Sequence, residues 1–369
     1  MTVIFVHPQD PSSPKTWSKI PFFLKKELEL ADCKIIAVAT GPCNLMERVL
    51  FKLIQVITKL DYKYNIIFRL IATFKLQYRV SKYKPIAVIH FGTTSALFWK
   101  IKNTLNYLVL DNTWNLIISE STNFIKPYPK KNTIEAIDLR EKSALGNFDA
   151  IFSHTKRVSK NLTEYYNLDP RQVVLIGLGV GNFTPNFQDK NYSERQVIFI
   201  ARHSFVQKGG ELMLESVRIA QKVMPDIKVI IEGGCKVTAS TDDIKNLRFT
   251  GLSDIDTLER LIKESTLLVM PAIAEPMGIV YIEAMINKTP IVALNRGAIP
   301  DFTDDGRLGY ICNDEDAYEI ADLILNAFNN TEKLKQIAED GQKFILQNHT
   351  WSKISQIIKN QIVLDSSNY

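Results

Sequence analysis

Short apolar runs bounded by polar or glycine-containing stretches recur along the whole of this 369-residue chain. In the first half they are VIFV (3–6), KIIAVA (34–39), IAVIH (86–90), YLVL (107–110), AIFS (150–153) and QVVLI (172–176). The second half begins again with QVIFIA (196–201), IKVIIE (227–232), LRFTG (247–251), TLLVMP (266–271) and PIVAL (290–294). The first-half runs are apolar on both faces, as parallel strands covered by helices on both sides must be. Helical patterns separate most of the runs. Two consecutive series of this kind predict two doubly wound α/β sheets, and the length suits two cores better than one.

Between the two series lies GLGVGNFTPNFQDKNYSERQ (177–196), rich in Gly, Asn and polar residues, which reads as an interdomain linker. Its Gly177, Gly179 and Gly181 lack the third glycine of a dinucleotide loop, and no helical pattern follows, so a hinge is expected. Near the end, Ile354, Ile357, Ile358 and Ile362 recur at helical spacing behind Thr350, predicting a helix with one buried face. The expected division is therefore residues 1–180, 181–349 and a terminal helix over 350–369. The opening MTVIFVHPQD reads as a first strand and not as a signal peptide.

Composition narrows the class. At 46% apolar and 23% charged residues, the chain is an ordinary globular protein. Cys33, Cys43, Cys235 and Cys312 are scattered, with neither paired metal-ligand spacing nor a redox pair, and read as small core residues in a reducing compartment. The stretch 47–84 is rich in Leu, Ile and Phe, but Lys52, Lys59, Asp61, Lys63, Arg69 and Lys75 interrupt it too often for a membrane span. Its nine Lys and Arg against Glu47 and Asp61 leave +7, more than the +5 of the whole chain. Such a patch suits an anionic membrane surface, a solvated basic face, or the wall of an anion-binding cleft. A nucleic-acid partner is not expected.

The stretch EPMGIVYIE (275–283) has its own chemistry. Past Gly278 the helical pattern is apolar on nearly every side, yet Glu283 falls beside its most hydrophobic face. A carboxylate taken out of water needs a polar partner. Glu275 stands just before the helix, held extended by Pro276.

Around this stretch the sequence resembles the nucleotide-binding domain of family 4 glycosyltransferases, retaining enzymes of GT-B fold. Matching segments run in the family's order: FIARHSFVQKGGELMLESV (199–217), IKVIIEGG (227–234), LRFTGL (247–252), LLVMPAIAEPMGIVYIEAMINKTPIVAL (267–294) and RGAIPDFTDDGRLGYI (296–311). DPSSPKTWSKIPFFL (10–24), LDNTWNL (110–116), IDLREKSAL (137–145) and the segment 151–179 are similar, less closely, to the family's acceptor-side domain. The resemblance implies two Rossmann-like domains facing a deep interdomain cleft, the last helix crossing back to the first. The co-substrate it implies is a UDP- or GDP-sugar.

By the same resemblance Arg202 and Lys208 clamp the diphosphate, where fixed positive charge stabilises the leaving group. The amides of Gly278, Ile279 and Val280, at a helix start, form an anion site for the distal phosphate. Glu275 accepts hydrogen bonds from the sugar and Glu283 from the ribose hydroxyls. The structural alternative is that Glu275 caps the helix while Glu283 pairs with a buried cation. Gly233 resembles a glycine turn near the nucleotide, and Leu252 the place where the base meets backbone. His90 contacts the sugar or is a satisfied structural histidine. Asp111 binds hydroxyls or is structural. Ser18 and Lys19 depart from the family's usual glycine turn, and Lys19 adds a phosphate contact or alters the approach of the first domain.

The expected activity is retaining transfer of a hexose-type sugar to a glycan or lipid-linked acceptor in surface polysaccharide synthesis. Neither a metal nor another cofactor is expected, and the place of work is the cytoplasm, peripheral to the inner face of the membrane. A nucleotide-sugar epimerase of the same fold, or a catalytically idle donor-binding subunit, are the alternatives.

Overall fold

The computed structural model describes residues 1–42, 44–58, 66–95, 97–120, 131–202 and 204–367. Cys43 and the charged Lys59, Asp61 and Lys63 lie outside them. The chain divides into two compact units, Met1–Leu178 with Trp351–Tyr369, and Gly179–Thr350.

Among the described residues six strands build the sheet of the first unit: β1 (Thr2–His7), β2 (Lys34–Ala39), β3 (Ala87–Phe91), β4 (Leu105–Leu110), β5 (Ala150–Ser153) and β6 (Val173–Leu175). They lie in the order β2-β1-β3-β4-β5-β6, every pair parallel. Its helices are α1 (Ile20–Leu30), α2 (Leu45–Thr58), α3 (Ile66–Tyr83), α4 (Trp114–Glu120), α5 (Lys131–Leu145) and α6 (Lys156–Glu164). Ile4, Val6 and Val88 meet Leu76 and Val80 of α3, while Leu108 and Ile151 meet Val158 and Leu162 of α6. Strands buried on both sides need no alternation, which is why their sequences read as continuous apolar runs.

The second unit repeats the plan with β7 (Gln196–Ile200), β8 (Lys228–Glu232), β9 (Leu247–Gly251), β10 (Leu267–Val269), β11 (Ile291–Leu294) and β12 (Tyr310–Cys312), in the order β12-β11-β10-β7-β8-β9. Around it lie α7 (Gly210–Val223), α8 (Ile255–Glu264), α9 (Ile279–Ile286), α10 (Ile299–Phe302), α11 (Ala317–Asn329) and α12 (Thr331–Asn348). Every apolar run forms a strand or part of one. Strand β12 was not foreseen: three residues at a sheet edge give too short a pattern to read.

Two connections differ in kind. The stretch read as a linker is fastened to the second unit: Val180 N–H donates to the His349 carbonyl at 3.0 Å and Asn186 N–H to Ile286 at 3.1 Å. Lys190, half-buried, donates to Thr289 Oγ1 at 2.5 Å. Residues 179–195 are thus part of that unit's packing and not a loose tether, because their backbone groups find partners there. The last helix, α13 (Trp351–Ser367), belongs to the first unit. Trp351 stacks on Phe23 of α1 at 5.5 Å, Lys359 donates to the Ala31 carbonyl at 2.8 Å, and Tyr107 donates to Asp365 at 2.7 Å.

Ile354, Ile358 and Ile362 are fully buried along α13. Ile358→Ala should therefore cost the first unit about 2–4 kcal/mol, read from urea unfolding. A change below about 0.5 kcal/mol would contradict the packing of this helix.

Candidate functional site in the second unit

In a doubly wound sheet the ligand crevice opens at the carboxyl ends of the strands, where the strand order reverses. In the second unit that point lies between β7 and β10, which are hydrogen-bonded neighbours although the chain visits β8 and β9 between them. The residues after β7 and β10 therefore line its mouth, and they carry most of the residues singled out in the sequence.

Arg202 follows β7. It forms a fork onto Glu232, the last residue of β8: Nε donates to Oε2 at 3.2 Å and Nη2 to Oε1 at 2.8 Å, with a further bond to the Ser253 carbonyl at 2.8 Å. Glu232 is fully buried, and Ser253 N–H donates to its Oε1 at 3.0 Å. The guanidinium is thus held in one plane while its side chain remains 27% exposed. Among the described residues Nη1 has no partner, so that edge can receive an anion. The sequence reading missed Glu232, although a charged residue closing a buried apolar strand was visible in IKVIIE.

Lys208 ends the loop before α7. Gln207 fastens this loop to the segment after β10, its carbonyl accepting from Ile273 N–H at 2.9 Å and Ala274 N–H at 3.1 Å. Gly209 adopts φ +76°, and any Cβ there would strike the backbone carbonyl of Pro271. A glycine is required by both the conformation and the close approach. The result is that Lys208 Nζ pairs with Glu275 Oε2, both side chains under a fifth exposed. Burial pushes the Lys208 ammonium down to about 8.

Glu275 does more than pair. Its Oε1 accepts from Gly278 N–H at 2.9 Å and Met277 N–H at 3.2 Å, so the carboxylate caps the start of α9. The expectation that Gly278 offers a free amide is corrected here: the nearest anion to the positive end of the helix is the protein's own. The amides of Ile279 and Val280, in the first turn, have no acceptor within the helix. Glu283, one turn further, is half-buried, with its carboxylate against Gly181. Gly233 follows Glu232, its N–H donating to the Gly251 carbonyl at 2.9 Å, and Leu252 stands 66% exposed beside that turn.

The remaining positions belong to the first unit and are described by themselves. His90 is fully buried at the end of β3, its Nδ1 bonded to the Ser95 carbonyl at 2.8 Å and its ring on the edge of Phe148. Burial lowers its pKa to about 4. The ring therefore offers no exposed surface to a sugar in this structure, although its buried Nε2 has no hydrogen-bond partner among the described residues. Asp111 follows β4, half-buried, with burial raising its carboxyl to about 6. Ser18 and Lys19 continue a turn of positive φ, 54° and 66°, that begins at Trp17 and leads into α1. A small cavity of about 40 Å³ lies among Arg69, Thr93, Trp114, Arg140 and Glu141. Glu141, held by Trp114 N–H at 2.7 Å and Tyr166 Oη at 2.5 Å, is raised to about 7 by burial. Among the described residues no group of three His, Cys, Asp or Glu could hold a metal ion.

Comparison with known proteins follows this division. Residues 182–344, most of the second unit, match the family model for glycosyl transferases group 1. The chain is 24% identical over 250 residues to the D-inositol 3-phosphate glycosyltransferase of Corynebacterium diphtheriae, covering 61% of this chain and 58% of that protein. It therefore spans a little over half the length of that relative. Sucrose-phosphate synthase from Thermosynechococcus elongatus superposes with a TM-score of 0.72 at 16% identity, covering 100% of both chains. Anabaena HepE in complex with UDP-glucose gives 0.65 at 13% identity, again over 100% of both. These likenesses show the fold, two parallel Rossmann-like α/β domains of the GT-B type, and the second unit carries the glycosyl transferases group 1 match.

Two glycines separate scaffold from site. Gly209→Ala meets rigid backbone in a left-handed conformation and should cost at least about 2 kcal/mol. Gly181→Ala meets side chains and no backbone: the carboxylate of Glu283 and, less closely, a methyl of Ile279. It should leave the thermal midpoint within about 2 °C while the Glu283 carboxylate moves. Equal destabilisation by the two substitutions, in calorimetric melts, would contradict this distinction.

Proposed function

We propose that the chain is a retaining, family 4 glycosyltransferase that moves a hexose-type sugar from a UDP- or GDP-sugar to a glycan or lipid-linked acceptor in surface polysaccharide synthesis. The observation that carries this reading is the array Lys208–Glu275–Gly278 at the start of α9, beside the fork of Arg202, inside the glycosyl transferases group 1 match. A lipid-linked acceptor would be met at the cytoplasmic face of the membrane.

The Glu275 carboxylate occupies the seat that a phosphate oxygen would take, between an ammonium and a helix N-terminus. An arriving diphosphate, with more charge and more acceptor atoms, displaces it from the Gly278 amide. Glu275 is then released to accept hydrogen bonds from sugar hydroxyls, and Glu283 receives those of the ribose. As the bond from the anomeric carbon to the phosphate oxygen breaks, charge grows on the diphosphate, where Lys208 and the open edge of Arg202 stabilise it. The acceptor hydroxyl attacks from the same face, and its proton passes to the departing phosphate oxygen. Charge stabilisation in this scheme comes from side chains and amides, so transfer is expected without a metal.

Glu275→Ala should lower sugar transfer by at least about a hundredfold, and Arg202→Ala or Lys208→Ala should weaken both donor affinity and rate by about tenfold or more. A panel of sugar nucleotides with analysis of released nucleotide and product measures this. Undiminished transfer by Glu275→Ala would refute the assignment, and isomerised sugar nucleotide without transfer would favour an epimerase.

The pH dependence has a definite sign. Below about 8 Lys208 carries its proton and attracts phosphate; above it the amine is neutral. Affinity for UDP or GDP, by calorimetry, should fall as pH rises through that value, and Lys208→Arg should flatten the fall. Affinity that is flat for the unaltered protein would contradict a role for this ammonium.

A further inference from the structure

Helix α2 is amphipathic in an unusual sense, because its apolar face is turned to solvent. Leu45, Met46, Val49, Leu53, Val56 and Ile57 recur at helical spacing along one side, and all are more than half exposed, from Val49 at 52% to Met46 at 83%. A different side holds the helix to the unit. Phe51, 3% exposed, meets Phe68 of α3 edge-on at 5.4 Å, and Glu47 pairs with Lys75 of α3 at 2.8 Å. The third side is polar, formed by Arg48, Lys52 and Gln55, all exposed. On α3 and just after it, Phe74, Tyr78, Arg79, Lys82 and Lys84 are exposed as well.

A soluble monomer rarely leaves so many adjacent large apolar side chains in water. The charges beside them indicate what covers them. Glu47 is the only acidic residue within the described parts of 44–84, and Lys75 already pairs with it. A second copy of this chain would bring Arg48 and Lys52 against their own kind, which like-charge repulsion disfavours. An anionic bilayer satisfies both sides of the helix, taking the apolar stripe at the boundary of its acyl chains while its headgroups pair with the cations. No helix among the described residues is long and apolar enough to cross a membrane, so contact is with one face.

We propose that α2 docks the chain onto an anionic lipid surface, with its Leu45–Ile57 stripe inserted at the interface and Arg48 and Lys52 among the headgroups. Docking of this kind is independent of the chemistry at Glu275, and a lipid-linked acceptor would be delivered to the unit that carries it.

Vesicle flotation of the full chain tests it, comparing phosphatidylcholine vesicles with vesicles rich in phosphatidylglycerol. The unaltered protein should float with the anionic vesicles and not with the neutral ones. The double substitution Leu53→Asp, Val56→Asp, at exposed positions, should reduce the bound fraction about tenfold or more while circular dichroism and the melting curve stay unchanged. Arg48→Glu with Lys52→Glu should do the same through charge alone. Absence of flotation, equal flotation on neutral vesicles, or full binding by the Leu53→Asp, Val56→Asp protein would overturn the proposal. So would a lipid-free dimer, seen by sedimentation, that the same double substitution breaks.

Discussion

The pair between Lys208 and Glu275 organises the second unit's mouth. It exists because Gly209 lets the loop after β7 press on Pro271, and because Gln207 binds the backbone of Ile273 and Ala274. Once there, two groups that would be costly to bury singly share one seat at the start of α9, and each lowers the cost of the other. The carboxylate takes the place an external anion would otherwise fill. In the proposed scheme a ligand has to offer Lys208 and the helix start something better than Glu275, which would favour multiply charged oxygen anions over neutral sugars.

Arg202 is prepared differently. Its fork is committed on one edge to a fully buried carboxylate, Glu232, and open on the other. Such a partner fixes the direction of the guanidinium and leaves it short of neutralisation, since Glu232 also receives Ser253 N–H. A rigid cation aimed at the crevice costs little reorganisation when charge develops nearby, which is where electrostatic preorganisation is most effective.

The central strands were legible because burial on both faces writes itself as unbroken β-branched and aliphatic runs such as VIFV and PIVAL, whereas the edge strands β6 and β9 are partly exposed and read less cleanly. What escaped were features whose cause is long-range. The role of Glu232 depends on strands β7 and β8 lying side by side. The attachment of residues 179–195 depends on carbonyls in α9 and at His349, far away in sequence. His90 sat at the carboxyl end of a strand, as a site residue would, but its ring turns toward Phe148 and Ser95 inside the first unit. The basic, apolar stretch was visible as composition alone. Only the packing of Phe51 on Phe68 revealed that the remaining apolar side of α2 is the exposed one.

The proposed exchange of Glu275 for phosphate at the start of α9 is tested most directly by a crystal structure of the chain with a bound nucleoside diphosphate, UDP or GDP. A phosphate oxygen should sit on the Gly278 amide and Lys208 Nζ, with the Glu275 carboxylate turned away toward the sugar position. A nucleotide bound elsewhere, with Glu275 still capping α9, would contradict the exchange.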